Sequence, residues 1–199
     1  MTDPVEPNEV PAVPAPRKPR KIFLAVGLVL AVALGIGLFS SVGNKKADQA
    51  PKVGGPVPAF SAARINGSGS VSVPSTRGTP TVILFFGRWC SECHTELPPL
   101  AAAVRHQDSA GGALAHIRVV GVDSEDTLAH ARGFVKSSGV TFPVVCDPNI
   151  EITSGDFFLY SDPNAVFVNG NGVITRIART ALSPSAFIAD EKALIPSES

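Results

Sequence analysis

Residues 81–98 read Thr81-Val82-Ile83-Leu84-Phe85-Phe86-Gly87-Arg88-Trp89-Cys90-Ser91-Glu92-Cys93-His94-Thr95-Glu96-Leu97-Pro98. The apolar run from Val82 to Phe86 is strand-length and stops at a glycine, so residues 81–86 are predicted as a buried strand. A helix is predicted to follow over about 91–107, with Pro98 and Pro99 inside it. A Cys-x-x-Cys pair opening such a helix sets Cys90 against free N–H groups and the positive end of the helix dipole, both of which stabilise a thiolate. Cys90 is the expected nucleophile. Cys93, one turn further in, is shielded yet near enough to attack a mixed disulfide on Cys90, leaving a Cys90–Cys93 redox disulfide. Taken alone the pair also suits half of a structural zinc site, but the strand before it, Trp89 beside it and the helix after it favour redox chemistry.

Outward from this stretch the pattern alternates. Residues 117–122 predict a second buried strand, 126–138 a helix, and 164–168 with 173–177 two strands about the turn Asn169-Gly170-Asn171-Gly172. Ser183-Pro184 caps a last helix carrying Phe187, Ile188, Leu194 and Ile195. The order β-α-β-α-β-β-α predicts a small central sheet with helices on both faces, and residues 59–63 and 71–73 add an N-terminal hairpin.

Before this domain, assigned to residues 58–199, the composition shifts. Residues 1–21 hold six prolines and few large apolar side chains and are expected to be a disordered cytoplasmic tail. Residues 22–39 are all apolar or glycine; as a helix they span roughly 27 Å, the thickness of a bilayer's hydrocarbon core, so 22–42 is assigned as a transmembrane signal-anchor. A cleaved signal peptide is the competing reading, but the run exceeds the usual apolar core of about 7 to 15 residues. Arg17, Lys18, Arg20 and Lys21 precede the span and Lys45, Lys46 and Lys52 follow it, which favours a cytoplasmic N-terminus and a catalytic domain on the extracytoplasmic side of the cell membrane. Residues 43–57 read as a flexible linker. The 199 residues carry 17 basic and 17 acidic side chains, so the broad basic field of a nucleic-acid binder is missing.

The segment from Phe85 to Pro98 resembles the active-site segment of the ResA/TlpA-type membrane-anchored thioredoxin-like family, with its pattern W-C-x-x-C-x-x-E-x-P. The resemblance extends over about residues 54–195, through Gly78-Thr79-Pro80, Val140-Thr141-Phe142-Pro143-Val144-Val145 and Asp162-Pro163-Asn164-Ala165-Val166-Phe167. It implies an α/β thioredoxin fold and an extracytoplasmic thiol:disulfide oxidoreductase. It also implies that Pro163 is a cis-proline lying against the cysteine pair, and that Glu96 is a carboxylate near the cysteines, a possible proton relay for Cys93. Trp89 is expected to pack beside the pair. The implied partners are an oxidised exported client, in cytochrome c-type biogenesis an apocytochrome c, and a membrane thiol-transfer protein as electron donor, with the lipid bilayer engaged by the N-terminal helix. No cofactor and no metal are called for; His106, His116 and His130 lack mutual ligand spacing.

Two departures from the family pattern shape the expectation. The residues between the cysteines are Ser91-Glu92, without the proline common there, and Asp162 precedes Pro163. Carboxylates close to Cys90 disfavour its thiolate and move the couple toward the reducing end, so a reductase is expected; Arg88 and His94 push the other way, which leaves a disulfide-donating oxidase as the alternative. Cys146, after Pro143-Val144-Val145, reads as a small buried hydrophobe. Cys90-Ser91-Glu92-Cys93-His94 also spells the attachment motif of a c-type haem, against which Met1 is the chain's only methionine, so the usual axial methionine is absent.

Overall fold

The computed structural model describes residues 50–75 and 78–195. The expected tail and transmembrane anchor, and the linker up to residue 49, lie outside the described residues. Among those described, no helix is long and apolar enough to cross a membrane.

Among the described residues there are seven strands and three α-helices. In chain order they are β1 (Phe60–Ala63), β2 (Ser70–Val73), β3 (Thr81–Phe86), α1 (Ser91–Ala110), β4 (Arg118–Ser124), α2 (Leu128–Ser137), β5 (Val144–Asp147), β6 (Asn164–Val168), β7 (Ile174–Ala178) and α3 (Pro184–Lys192). A 3₁₀ turn at Ala113–His116 follows α1, and a π-helical turn at Glu151–Asp156 separates β5 from β6. β1 and β2 pair as the expected N-terminal hairpin, with Phe60 opposite Val73.

The main sheet has the order β5-β4-β3-β6-β7. β3, β4 and β5 run parallel, while β6 and β7 are antiparallel additions on the other side of β3. β3 is therefore central, and all six of its residues are buried, which is why it reads as a continuous apolar run rather than an alternating one. Residues 144–147, to which the sequence assigns no strand, form the edge strand β5, in register with Gly121 to Ser124 of β4.

The expectation of helices on both faces is corrected. Val82, Leu84 and Phe86 of β3 pack with Leu97, Leu100 and Val104 of α1, Phe134 of α2 and Phe187 of α3 in one cluster. Ile83 and Phe85 face the opposite way, against Phe60, Val71 and Val73 of the hairpin and Phe157 and Leu159 after the π turn. The reason is topological: successive right-handed crossovers from β3 to β4 and from β4 to β5 step in one direction, so α1 and α2 land on the same face. The other face is covered by the hairpin and the long β5–β6 connection.

The linker expected up to residue 57 also ends earlier. Gly54 N–H donates to the Ile174 carbonyl at 2.8 Å and Val57 N–H to the Gly172 carbonyl at 2.9 Å, and Val57 is buried, so residues 54–57 belong to the domain as an extra edge beside β7. At the far end, Ser183 caps α3 by accepting from Ala186 N–H at 3.2 Å, with Pro184 at the first helical position as its fixed φ favours.

Candidate active site

β3 runs into Gly87, and the chain turns through Arg88 and Trp89 into α1. Gly87 is required by close approach: a Cβ there would lie 2.4 Å from Trp89 Nε1 and 2.8 Å from the Ser124 carbonyl oxygen. The turn is held from β4 and the loop after it. Arg88 N–H donates to Asp126 Oδ2 at 2.6 Å, Arg88 Nε stands 3.8 Å from Asp126 Oδ1, and Trp89 Nε1 donates to the Ser124 carbonyl at 2.9 Å. His94 closes the turn from the helix side, its Nε2 2.7 Å from the Arg88 carbonyl and its ring against Phe134.

Cys90 is the N-cap of α1, and its Sγ accepts from Cys93 N–H at 3.1 Å, the place where the helix offers unpaired donors. The two cysteines form a disulfide with Cα atoms 5.3 Å apart. Cys90 retains slight exposure and Cys93 none, so an incoming sulfur meets Cys90 first. The Asp162–Pro163 peptide bond is cis and Pro163 is buried.

The surroundings are acidic. Glu96 lies three residues beyond Cys93, on the same face of α1. Burial pushes its pKa up to about 7, against the Leu182 N–H that donates to its Oε1 at 2.6 Å and lowers it, with Glu92 and Asp162 adding repulsion. Asp162 is likewise raised by burial, to about 6. Glu92 is exposed in the first turn of α1. Asp123, at the end of β4, has no solvent exposure; burial, then the charge of the neighbouring Asp126 and a carboxyl–carboxyl hydrogen bond with it, push its pKa up to about 8.

Sequence reasoning did not single out Asp123, Asp126 or Ser124. The available signal was the acidic interruption of an apolar strand at its carboxyl end, where α/β sheets place their sites. Cys146 is half-buried on β5, in register with Asp123, and its Sγ donates to the Asp126 carbonyl at 3.4 Å; burial and three aspartates raise its thiol pKa to about 11, far from a reactive thiolate. Haem attachment fits poorly, because both sulfurs are joined to each other, Cys93 is fully buried and His94 is engaged with Arg88 and Phe134. Among the described residues no group of three or more His, Cys, Asp or Glu side chains is arranged to hold a metal ion.

A strand-turn-helix carrying a Cys-x-x-Cys disulfide at the head of its helix, beside a cis-proline that opens a neighbouring strand, defines a thiol:disulfide oxidoreductase of thioredoxin fold. The chain belongs to the AhpC/TSA family, whose profile matches residues 53–194. Among curated proteins it is 26% identical over 171 residues to the thiol-disulfide oxidoreductase ResA of Bacillus subtilis, covering 85% of this chain and 90% of that one. It is also 26% identical over 114 residues to the sporulation thiol-disulfide oxidoreductase A of the same organism, covering 57% and 65%. Among solved structures, StoA from Bacillus subtilis superposes with a TM-score of 0.58 at 21% identity, over 68% of this chain and 98% of that one. A secreted Mycobacterium tuberculosis disulfide oxidoreductase superposes with a TM-score of 0.57 at 21% identity, over 68% and 96%. These two superpositions speak for the fold.

Proposed function

We propose that this protein is a membrane-anchored extracytoplasmic reductase of disulfides in exported proteins. The observation that carries the direction is the acidic cluster in which Glu92 and Asp162 act on Glu96, one turn beyond Cys93 on α1, together with the complete burial of that inner cysteine. Such a setting withholds from the reduced form the thiolate stabilisation that makes a strong oxidant.

In the reaction the Cys90 thiolate attacks one sulfur of the client's disulfide. A Cys90–client disulfide forms and one client thiolate leaves. Cys93 then gives its proton to the Glu96 carboxylate and attacks Cys90 Sγ; the Cys90–Cys93 disulfide forms and the second client thiolate leaves, taking a proton. Two electrons have passed from the protein's dithiol to the client. Glu96, titrating near neutrality, suits both halves of that proton transfer. Pro163 and Trp89 border the pair and shape the client's approach.

Reduction outside the cytoplasm needs electrons from within, so a membrane thiol-transfer protein is the proposed donor and apocytochrome c the proposed client. The apolar run at 22–39 is the proposed anchor to the bilayer. The oxidase reading rests on the helix N-terminus, Arg88 and His94, all of which favour a thiolate on Cys90.

The test is a trapping experiment on the full chain. With Cys93→Ser the reaction should halt at a Cys90 mixed disulfide with oxidised exported proteins, released by dithiothreitol, while Cys90→Ser traps nothing. Absence of any mixed disulfide in the Cys93→Ser protein would remove the enzymatic reading. Protease added outside intact cells should digest the domain while the chain stays in the membrane fraction; digestion only after lysis would refute the topology.

A further inference from the structure

An open surface cavity of about 240 Å³ is bordered by Trp89, the residue before Cys90, and Asp162, the residue before Pro163, with Glu125, Ile150, Leu159 and Tyr160. Its walls are of two kinds. Trp89 and Tyr160 are large residues left exposed, at 49% and 78%, whereas almost all the other aromatic side chains among the described residues are in the core. Trp89 is held in place by its bond to the Ser124 carbonyl. The polar wall combines the hydroxyl residues Ser124, Thr153, Ser154 and Ser161 with two acids, the exposed Glu125 and the half-buried Asp162, whose carboxyl is held by Asn164 and Ser124; no described residue lining the cavity is basic. Two lining residues, Glu125 and Ile150, hold left-handed backbone with φ of 58° and 51°, a conformation uncommon for such side chains.

An aromatic and aliphatic wall with carboxylates at one end matches one kind of side chain: a long apolar stem ending in a cation. Lysine and arginine lay such stems along apolar surface, and their charged heads are attracted both to carboxylates and to the faces of Trp and Tyr. We propose that this cavity is a specificity site that receives a lysine or arginine flanking the cysteine of the client's disulfide. The inference rests on the disulfide-reducing function proposed above and adds the client's chemistry to it. It also assigns positioning roles to Glu125 and Tyr160, which lie off the path of the sulfur and proton transfers.

The test uses the full chain in detergent, reduced, with the fluorescence of Trp89, its single tryptophan, reporting oxidation of Cys90 and Cys93. The substrates are otherwise identical tryptophan-free peptides, each with one internal disulfide flanked by Lys, Gln or Glu. The second-order rate constant should fall in the order Lys, Gln, Glu, with about fivefold between Lys and Glu, the size of one partly exposed ion pair. In the Glu125→Gln/Tyr160→Ala double variant the Lys-to-Glu ratio should drop below about twofold. Equal rates for all three peptides, or an unchanged ratio in the double variant, would overturn the specificity site while leaving the reductase reading standing. No reaction with any peptide would instead count against the reductase reading itself, and the specificity site would fall with it.

Discussion

Glu96 stands one helical turn beyond Cys93, half-buried, with the Leu182 N–H on one oxygen and its pKa raised by burial to about 7. A carboxyl so poised exchanges protons near neutral pH. Glu96→Gln should slow the step in which Cys93 resolves the mixed disulfide by on the order of 100-fold and remove the inflection near pH 7 from its rate profile, with the initial attack by Cys90 little changed. Rapid-mixing kinetics on the two steps checks this; equal slowing of both would point to a merely structural role. At this scale the sequence was legible where chemistry is local. The cysteines, Trp89 and Glu96 announce themselves by spacing within one strand and one helix. Asp123 does not, because its burial arises only when β5 lays Cys146 beside it and the helical face closes over both.

The elements show a similar division. β3, α1 and the β6–β7 hairpin could be read from apolar runs, a cap and the turn at Asn169 to Gly172. β5 could not be read as a strand, since its four residues are flanked by Pro143 and Pro148, and only the parallel register with β4 gives them a partner. The side on which helices pack was missed for a different reason: it depends on the direction in which successive crossovers step, which no single element encodes. α3 is tied to α1 by a buried pair, Gln107 Nε2 donating to Glu191 Oε2 at 2.7 Å, with Glu191 wholly shielded and its other oxygen unpaired. Gln107→Ala should cost about 2 kcal/mol in denaturant unfolding, because it leaves a buried carboxyl without any partner. The loss should be smaller at pH 5 than at pH 8, since a neutral carboxyl is cheaper to leave unpaired; a loss below about 0.5 kcal/mol at both pH values would show that the pair is not holding the helices.

Across the whole molecule, acids with raised pKa values set the response to pH. Asp123, Glu96, Glu191 and Asp162 are raised by burial to about 8, 7, 7 and 6, whereas in the unfolded chain they titrate near 4. Between those limits the native state holds protons that the unfolded chain has released, so stability is full at the acid end of the window and is lost as pH rises through the folded values. The melting temperature should fall by several degrees between pH 5 and pH 8.5, and Asp123→Asn should flatten that dependence. A melting temperature rising over this range would contradict the burial of these groups. Glu96, one turn beyond Cys93, and Asp162, before Pro163, belong both to this group and to the site, so the same buried carboxyls bear on fold stability, proton transfer and the direction of electron flow.

That direction is the central claim, and the midpoint potential of the Cys90/Cys93 couple tests it most directly, with the full chain in detergent equilibrated against dithiothreitol and glutathione buffers. The carboxyl-rich site predicts a value near or below about −250 mV, in the range of thioredoxin, raised toward the oxidising side in the Glu92→Gln/Asp162→Asn double variant. A value above about −150 mV, toward the strong oxidants, would contradict the reductase and make the protein a donor of disulfides to exported chains.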